Sequence, residues 1–168
     1  MKTKKVMKCG LAVPVLLLLM LGGCGTTGSH REETVLLGWT NRTAIMSPAH
    51  PRFGERFDTV QVSGEMIELI REARGGEWLV FFGSWCSDSW REIPAFLKTA
   101  DNAGIDSIRF YGLDRSKKSP EGFEEPFSIT LVPTLILVRE GREVGRIEER
   151  PSGSMEDGML FLLMKSGE

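Results

Sequence analysis

Among the residues that could do chemistry, Cys86 is set apart by its neighbours. It lies in Gly83-Ser84-Trp85-Cys86-Ser87-Asp88-Ser89, directly after the continuous apolar run Trp78 to Phe82 and directly before a stretch of helical periodicity. An apolar run of that length reads as a strand buried on both faces. A thiol where such a strand gives way to a helix meets free N–H groups and the positive end of the helix dipole. Both favour the thiolate, the nucleophile of disulfide exchange. Ser89, three residues on, can offer its hydroxyl to the same sulfur. The Asp88 carboxylate opposes a second negative charge beside it. The competing reading of Cys86 is a small buried hydrophobe, as most free cysteines are.

Whether that thiol has a partner depends on the other two cysteines, Cys9 and Cys24. Met1 to Gly23 has a basic start (Lys2, Lys4, Lys5, Lys8), a short apolar stretch from Leu11 to Leu21 and small residues at its end, the pattern of a secretory signal. The apolar stretch is well short of the ~20 residues that span a bilayer, and Pro14 interrupts it. Leu21-Gly22-Gly23-Cys24 resembles the lipobox of bacterial lipoproteins. The resemblance implies cleavage before Cys24 and acylation of that cysteine, and more than one acyl chain anchors stably. Gly25, rather than an aspartate, favours the outer over the inner membrane of a bacterial envelope, with the protein facing the periplasm. Gly25 to Thr34 is small and polar and reads as a flexible tether. Residues 1–23 are thus expected as signal, 24–34 as anchor and tether, and 35–168 as one folded domain. Cys9 leaves with the signal and Cys24 is blocked by lipid, so Cys86 is the one free thiol and no disulfide can form within the mature chain.

Removing the signal takes four lysines and leaves 145 residues with 17 basic and 23 acidic side chains, a net charge of −6. That is enough chain for a single core. The acidic balance argues against a nucleic-acid partner.

The elements that must position Cys86 follow from pattern. Thr34 to Gln61 is the least regular part, with Pro48 and Pro51 breaking any long element. Ser63 is an expected N-cap for a helix to about Arg74, stopped by Gly75-Gly76. After Cys86, a helix carries Trp90, Ile93, Leu97 and Ala100 on one face. Ile108 to Leu113 and Thr134 to Val138 are further strands, and Glu140-Gly141 turns into a last strand, Glu143 to Ile147. A closing helix runs from about Ser154 to Lys165. The expected fold is α/β: a central mixed sheet flanked by helices on both faces.

Trp85-Cys86-Ser87-Asp88-Ser89 resembles the Trp-Cys-x-x-Cys active site of thioredoxin-like proteins, with serine in the second cysteine position. Pro94, eight residues after Cys86, falls where that family carries a proline in the active-site helix. Val132-Pro133-Thr134 resembles the family's cis-proline loop. With the Glu140-Gly141 hairpin and the terminal helix, the resemblance covers about Ser63 to Lys165. The monothiol motif followed by Arg91-Glu92-Ile93-Pro94 looks most like a bacterial envelope lipoprotein subgroup whose substrate is unassigned. The resemblance implies that Cys86 is the attacking thiol with Ser89 and Asp88 beside it. It also implies that Trp85, Val132, Pro133 and Thr134 meet the substrate's extended backbone. Two departures matter: the resolving cysteine is replaced by Ser89, and Val80 stands where many relatives have a buried acid. The second half of a dithiol cycle is missing, and monothiol exchange remains.

Three classes of function are compatible with this. The first is membrane-anchored monothiol thiol–disulfide exchange, of oxidoreductase or isomerase type, on protein or small-thiol disulfides, completed by an external thiol or redox partner. The second is a non-catalytic binding module that uses the proline loop. The third is a peroxidase, although the Pro-x-x-x-Thr-x-x-Cys approach of peroxiredoxins is missing. No cofactor is implied. His30 in the tether and His50 beside prolines have no partners for a metal site. The tryptophans Trp39, Trp78, Trp85 and Trp90 read as packing residues, and Glu148-Glu149-Arg150 as a solvated face.

Overall fold

The computed structural model describes residues 34–165; the expected signal over residues 1–23 and Cys24, the expected lipidation site, lie outside the described residues. The central strand is β2 (Glu77–Phe82), in which Trp78 to Phe82 are all buried. Its alternate residues face two separate cores. Trp78, Val80 and Phe82 join one, and Leu79 and Phe81 join the other. β2 runs parallel to β3 (Ile108–Gly112) on one side and antiparallel to β4 (Thr134–Arg139) on the other, with Leu79 opposite Ile136. β4 turns at Glu140-Gly141 into β5 (Arg142–Glu148), an antiparallel hairpin with an irregularity between Leu137 and Val138. The sheet order is β1-β3-β2-β4-β5, with β1 the short strand Gly38–Thr40 at one edge.

The larger core lies under four helices: α2 (Pro51–Thr59), α3 (Gly64–Ala73), α4 (Ser87–Ala103) and α5 (Met155–Met164). They bring Phe53, Ile67, Ile70, Ile93, Phe96 and Leu162 onto the Trp78, Val80 and Phe82 face. The smaller core is closed by the long β3–β4 connection. Its 3-10 turn at Glu125–Phe127 and the nearby Phe123 pack over Phe81, with ring centroids 5.9 Å (Phe123) and 5.3 Å (Phe127) from it. Both faces are therefore covered, but unequally: helices on one, a single 3-10 turn and its loop on the other.

Ser63 caps α3 as the sequence implies, and the structure adds a second cap: Ser154 heads α5 and forms a reciprocal capping box with Asp157. The 34–61 segment, by pattern the least regular part, is built of short elements. It contains an edge strand, β1 (Gly38–Thr40), antiparallel to β3, then the one-turn α1 (Arg42–Ile45) and α2. Pro51 does not break α2. It opens the helix at a first-turn position, where its missing N–H would have had no partner. Phe53 then reaches the core edge-on to Phe82. β1 is guided by a close approach: a Cβ on Gly112 would lie 2.2 Å from the Leu36 carbonyl oxygen, so only glycine lets the N-terminal segment pass there.

Candidate active site around Cys86

β2 ends at Phe82 and the chain turns through Gly83-Ser84-Trp85 into α4. The turn is closed by the Cys86 N–H donating to the Gly83 carbonyl at 2.9 Å. Cys86 is the N-cap residue of α4, in extended conformation, and its carbonyl accepts from Trp90 N–H. Two indoles lock this turn. Trp90 Nε1 donates to the Ser84 carbonyl at 2.6 Å, and Trp85 Nε1 donates to the Leu113 carbonyl at 2.9 Å. The Trp85 ring lies against Gly83, where a Cβ would come within 2.6 Å of it. Guanidinium groups cover both rings, Arg115 over Trp85 and Arg52 over Trp90.

The half-buried Cys86 thiol donates to the Val132 carbonyl at 3.3 Å, and the Val132–Pro133 bond is cis. Two segments 46 residues apart thus meet at the sulfur. The proline loop is pinned from both ends. Thr134, buried at the start of β4, donates its hydroxyl to the Leu131 carbonyl, and the Glu149 N–H donates to the Pro133 carbonyl at 2.8 Å.

Ser89 is fully buried, but its oxygen accepts from the Gly83 N–H at 3.3 Å. No Ser89–Cys86 hydrogen bond is present among the described residues, which corrects the expectation that the hydroxyl serves the sulfur. The physical reason is the end of β2: past Phe82, the Gly83 N–H is buried and needs an acceptor, and Ser89 supplies it.

Asp88 is more than a charge opposing the thiolate. Its carboxylate pairs with Arg91 at 2.6 Å and with Arg150 at 3.7 Å, two cations that offset its field at Cys86. Arg91 also bonds the buried Glu92 at 2.6 Å. Hydrogen bonds to Glu92 and, beyond the cost of burial, to Asp88 hold the Arg91 guanidinium still more firmly cationic than usual. Arg91 lay in the quoted motif without a role. Arg150, read as part of a solvated face, is exposed but reaches into the site across the fold, and no sequence signal marks it.

The β3–β4 connection that delivers Val132 and Pro133 is itself organised by a buried acid, Glu124. Its carboxylate accepts from the Ser119 hydroxyl at 2.7 Å and the Ser119 N–H at 3.4 Å, with Lys118 at 3.7 Å. The Tyr111 hydroxyl lies 2.7 Å from the Ser119 oxygen and 2.9 Å from the Glu121 carboxylate; with the Ser119 proton donated to Glu124, the single Tyr111 proton serves one of these two acceptors. Burial alone would push the Glu124 carboxyl up, but these hydrogen bonds, aided by Lys118, bring it below its ordinary value. A depressed folded value supplies stability that is present above the unfolded value near 4.5 and lost as pH falls through the folded one. The stability lost in Glu124→Gln, measured by urea unfolding, should therefore be largest at neutral pH and shrink in acid. A loss that stays constant into acid would show that the ionised carboxylate is not what holds the loop.

No curated protein matches the sequence. Among solved structures, an HIV epitope-scaffold protein is similar at 15% identity and a TM-score of 0.50, and a protein of unknown function from Pseudomonas aeruginosa at 13% and 0.49. Each match covers 68% of this chain and 79% of the other. At 15% identity the likeness to the scaffold protein concerns the fold alone. The sequence profile described as Thioredoxin matches residues 47–160, a span that holds both the Cys86 turn and the Pro133 loop facing it, and the chain belongs to that family.

Proposed function

We propose that this thioredoxin-like protein is a membrane-anchored monothiol exchanger of the bacterial cell envelope. The observation that supports it best is the Cys86 thiol at the head of α4, 3.3 Å from the backbone of the proline loop. In this reading the Cys86 thiolate attacks one sulfur of a partner disulfide. The Cys86–partner S–S bond forms, the partner's own S–S bond breaks, and the leaving thiolate takes up a proton. Ser89 cannot resolve the mixed disulfide, because a hydroxyl is too weakly acidic and its oxygen is engaged by Gly83. The partner's freed thiol attacks instead, giving isomerisation with no net redox change, or an external thiol attacks and is itself oxidised. Arg91 and Arg150 hold the Asp88 charge while Cys86 carries its own. Partners are protein or small-thiol disulfides, and no cofactor takes part in either step.

Mass spectrometry of the protein after incubation with a disulfide-bonded peptide tests this. The wild type should gain one peptide half through Cys86, and Cys86→Ala should gain none. Peptide that binds equally well to both variants without a covalent adduct would favour the binding-module reading, in which the proline loop acts alone.

The anchor rests on Leu21-Gly22-Gly23-Cys24. Among the described residues, no helix is long and apolar enough to cross a membrane. Cys24→Ala should accumulate as an unlipidated, uncleaved precursor, and the wild type should fractionate with membranes, with the outer membrane favoured. Normal processing of the variant would remove the anchor from the proposal.

A further inference from the structure

The first described residues run along the active-site end of the sheet. The Leu36 N–H donates to the Ser84 hydroxyl at 3.0 Å, two residues from Cys86, and Leu36 tucks against the larger core. Around it Val35, Leu37 and Trp39 are 39%, 46% and 46% exposed, while Leu36 is half-buried and Gly38, at φ 70°, is buried. These three make up half of the exposed large apolar side chains among the described residues, gathered within five positions. Trp39 is braced from behind by Tyr111 and Phe123 and carries the Arg109 guanidinium over its ring at 4.0 Å. An indole with a cation beside it suits a surface that is apolar below and anionic at its rim. Two carboxylates lie nearby, Glu121 against Gly38 and Glu77 at 3.7 Å from the Arg109 guanidinium.

We propose that Val35, Leu37 and Trp39 seat this end of the domain on the lipid surface that holds Cys24. The inference rests on the anchoring reading above. Ten residues, Gly25 to Thr34, separate the acylated cysteine from the stripe, and fully extended they reach at most about 36 Å. Three apolar side chains bind a bilayer weakly on their own. Tethering makes the contact intramolecular at a high effective concentration, so weak intrinsic affinity suffices. The occupant is thus the protein's own membrane rather than a second copy. Because Leu36 is bonded to the Cys86 turn, seating the stripe holds the thiol at the membrane surface.

The test uses the full lipidated chain in vesicles of phosphatidylethanolamine and phosphatidylglycerol, some carrying brominated acyl chains, with tryptophan emission as the readout. Brominated lipid should quench the wild type, and Trp39→Phe should lose that quenching, since Trp78 is buried and Trp85 and Trp90 are packed in the Cys86 turn. Leu37→Glu leaves every indole in place and should lower the docked population about tenfold. Absent quenching in a wild type that floats with the vesicles, or quenching unchanged in both variants, would overturn the proposal. Failure to float would instead overturn the anchoring reading, and this inference with it. The emission does not depend on the thiol, so an inert Cys86 would count against the exchange reading alone.

Discussion

Ser89→Cys is expected to convert the single-thiol site into one that closes its own disulfide. Position 89 lies three residues along from Cys86 at the head of α4, where helix geometry puts the two Cα atoms about 5 Å apart, within the Cα range a disulfide accepts. The new sulfur would sit where the Ser89 oxygen now accepts from Gly83, so the variant loses that bond at a cost of ~1 kcal/mol. In exchange, a resolving thiol acts inside the site in place of one drawn from solution. Insulin reduction with dithiothreitol should rise roughly tenfold or more over wild type, whose mixed disulfides wait for an external thiol. The gain is bounded by Val80, which supplies no buried acid to handle the second proton. Mild oxidation followed by mass analysis reads the result. If no disulfide forms between Cys86 and the introduced thiol, the two positions are not arranged for dithiol chemistry and the exchange reading loses its main support.

Phe81→Ala should be the most damaging substitution on the thinly covered face. Phe81 is fully buried and is the ring on which Phe123 and Phe127 rest, so it carries much of the contact between the sheet and the β3–β4 connection. Large-to-small changes of a buried phenylalanine cost ~3–5 kcal/mol, a large share of the ~5–15 kcal/mol that holds a domain folded. The connection ends in Val132 and Pro133, so the loss should also appear at the thiol, as a changed alkylation rate of Cys86 in the folded protein. A variant of near wild-type urea midpoint would show that the loop is held by the Glu124–Ser119–Tyr111 network alone. In that case Glu124→Gln would be the more damaging of the two.

The sequence by itself determined the parts whose signals are local. The apolar run of β2, the serine cap at Ser63, the Glu140-Gly141 reversal and the position of Cys86 at a strand-to-helix turn each rest on a few adjacent residues, and the structure has all of them. Even the Val132–Pro133 loop could be placed against Cys86, because the order and spacing of the pieces resemble a known family. Local reading failed where an element owes its existence to distant partners. β1 is three residues long and is held by pairing with β3 over Gly112, and α2 depends on Phe53 finding Phe82. Neither carries enough periodicity to be seen alone.

The electrostatics of the site were decided by tertiary structure for the same reason. Whether Asp88 opposes a thiolate depends on what neutralises it, and Arg150 comes from beyond the end of β5, far along the chain from Asp88. Ser89 was drawn to Gly83 rather than to the sulfur because a strand ends there with a buried N–H to satisfy. Residue type and spacing say which groups can do chemistry. Which charges are paired, and which hydrogen bonds are already taken, depends on through-space contacts that only the folded chain brings together.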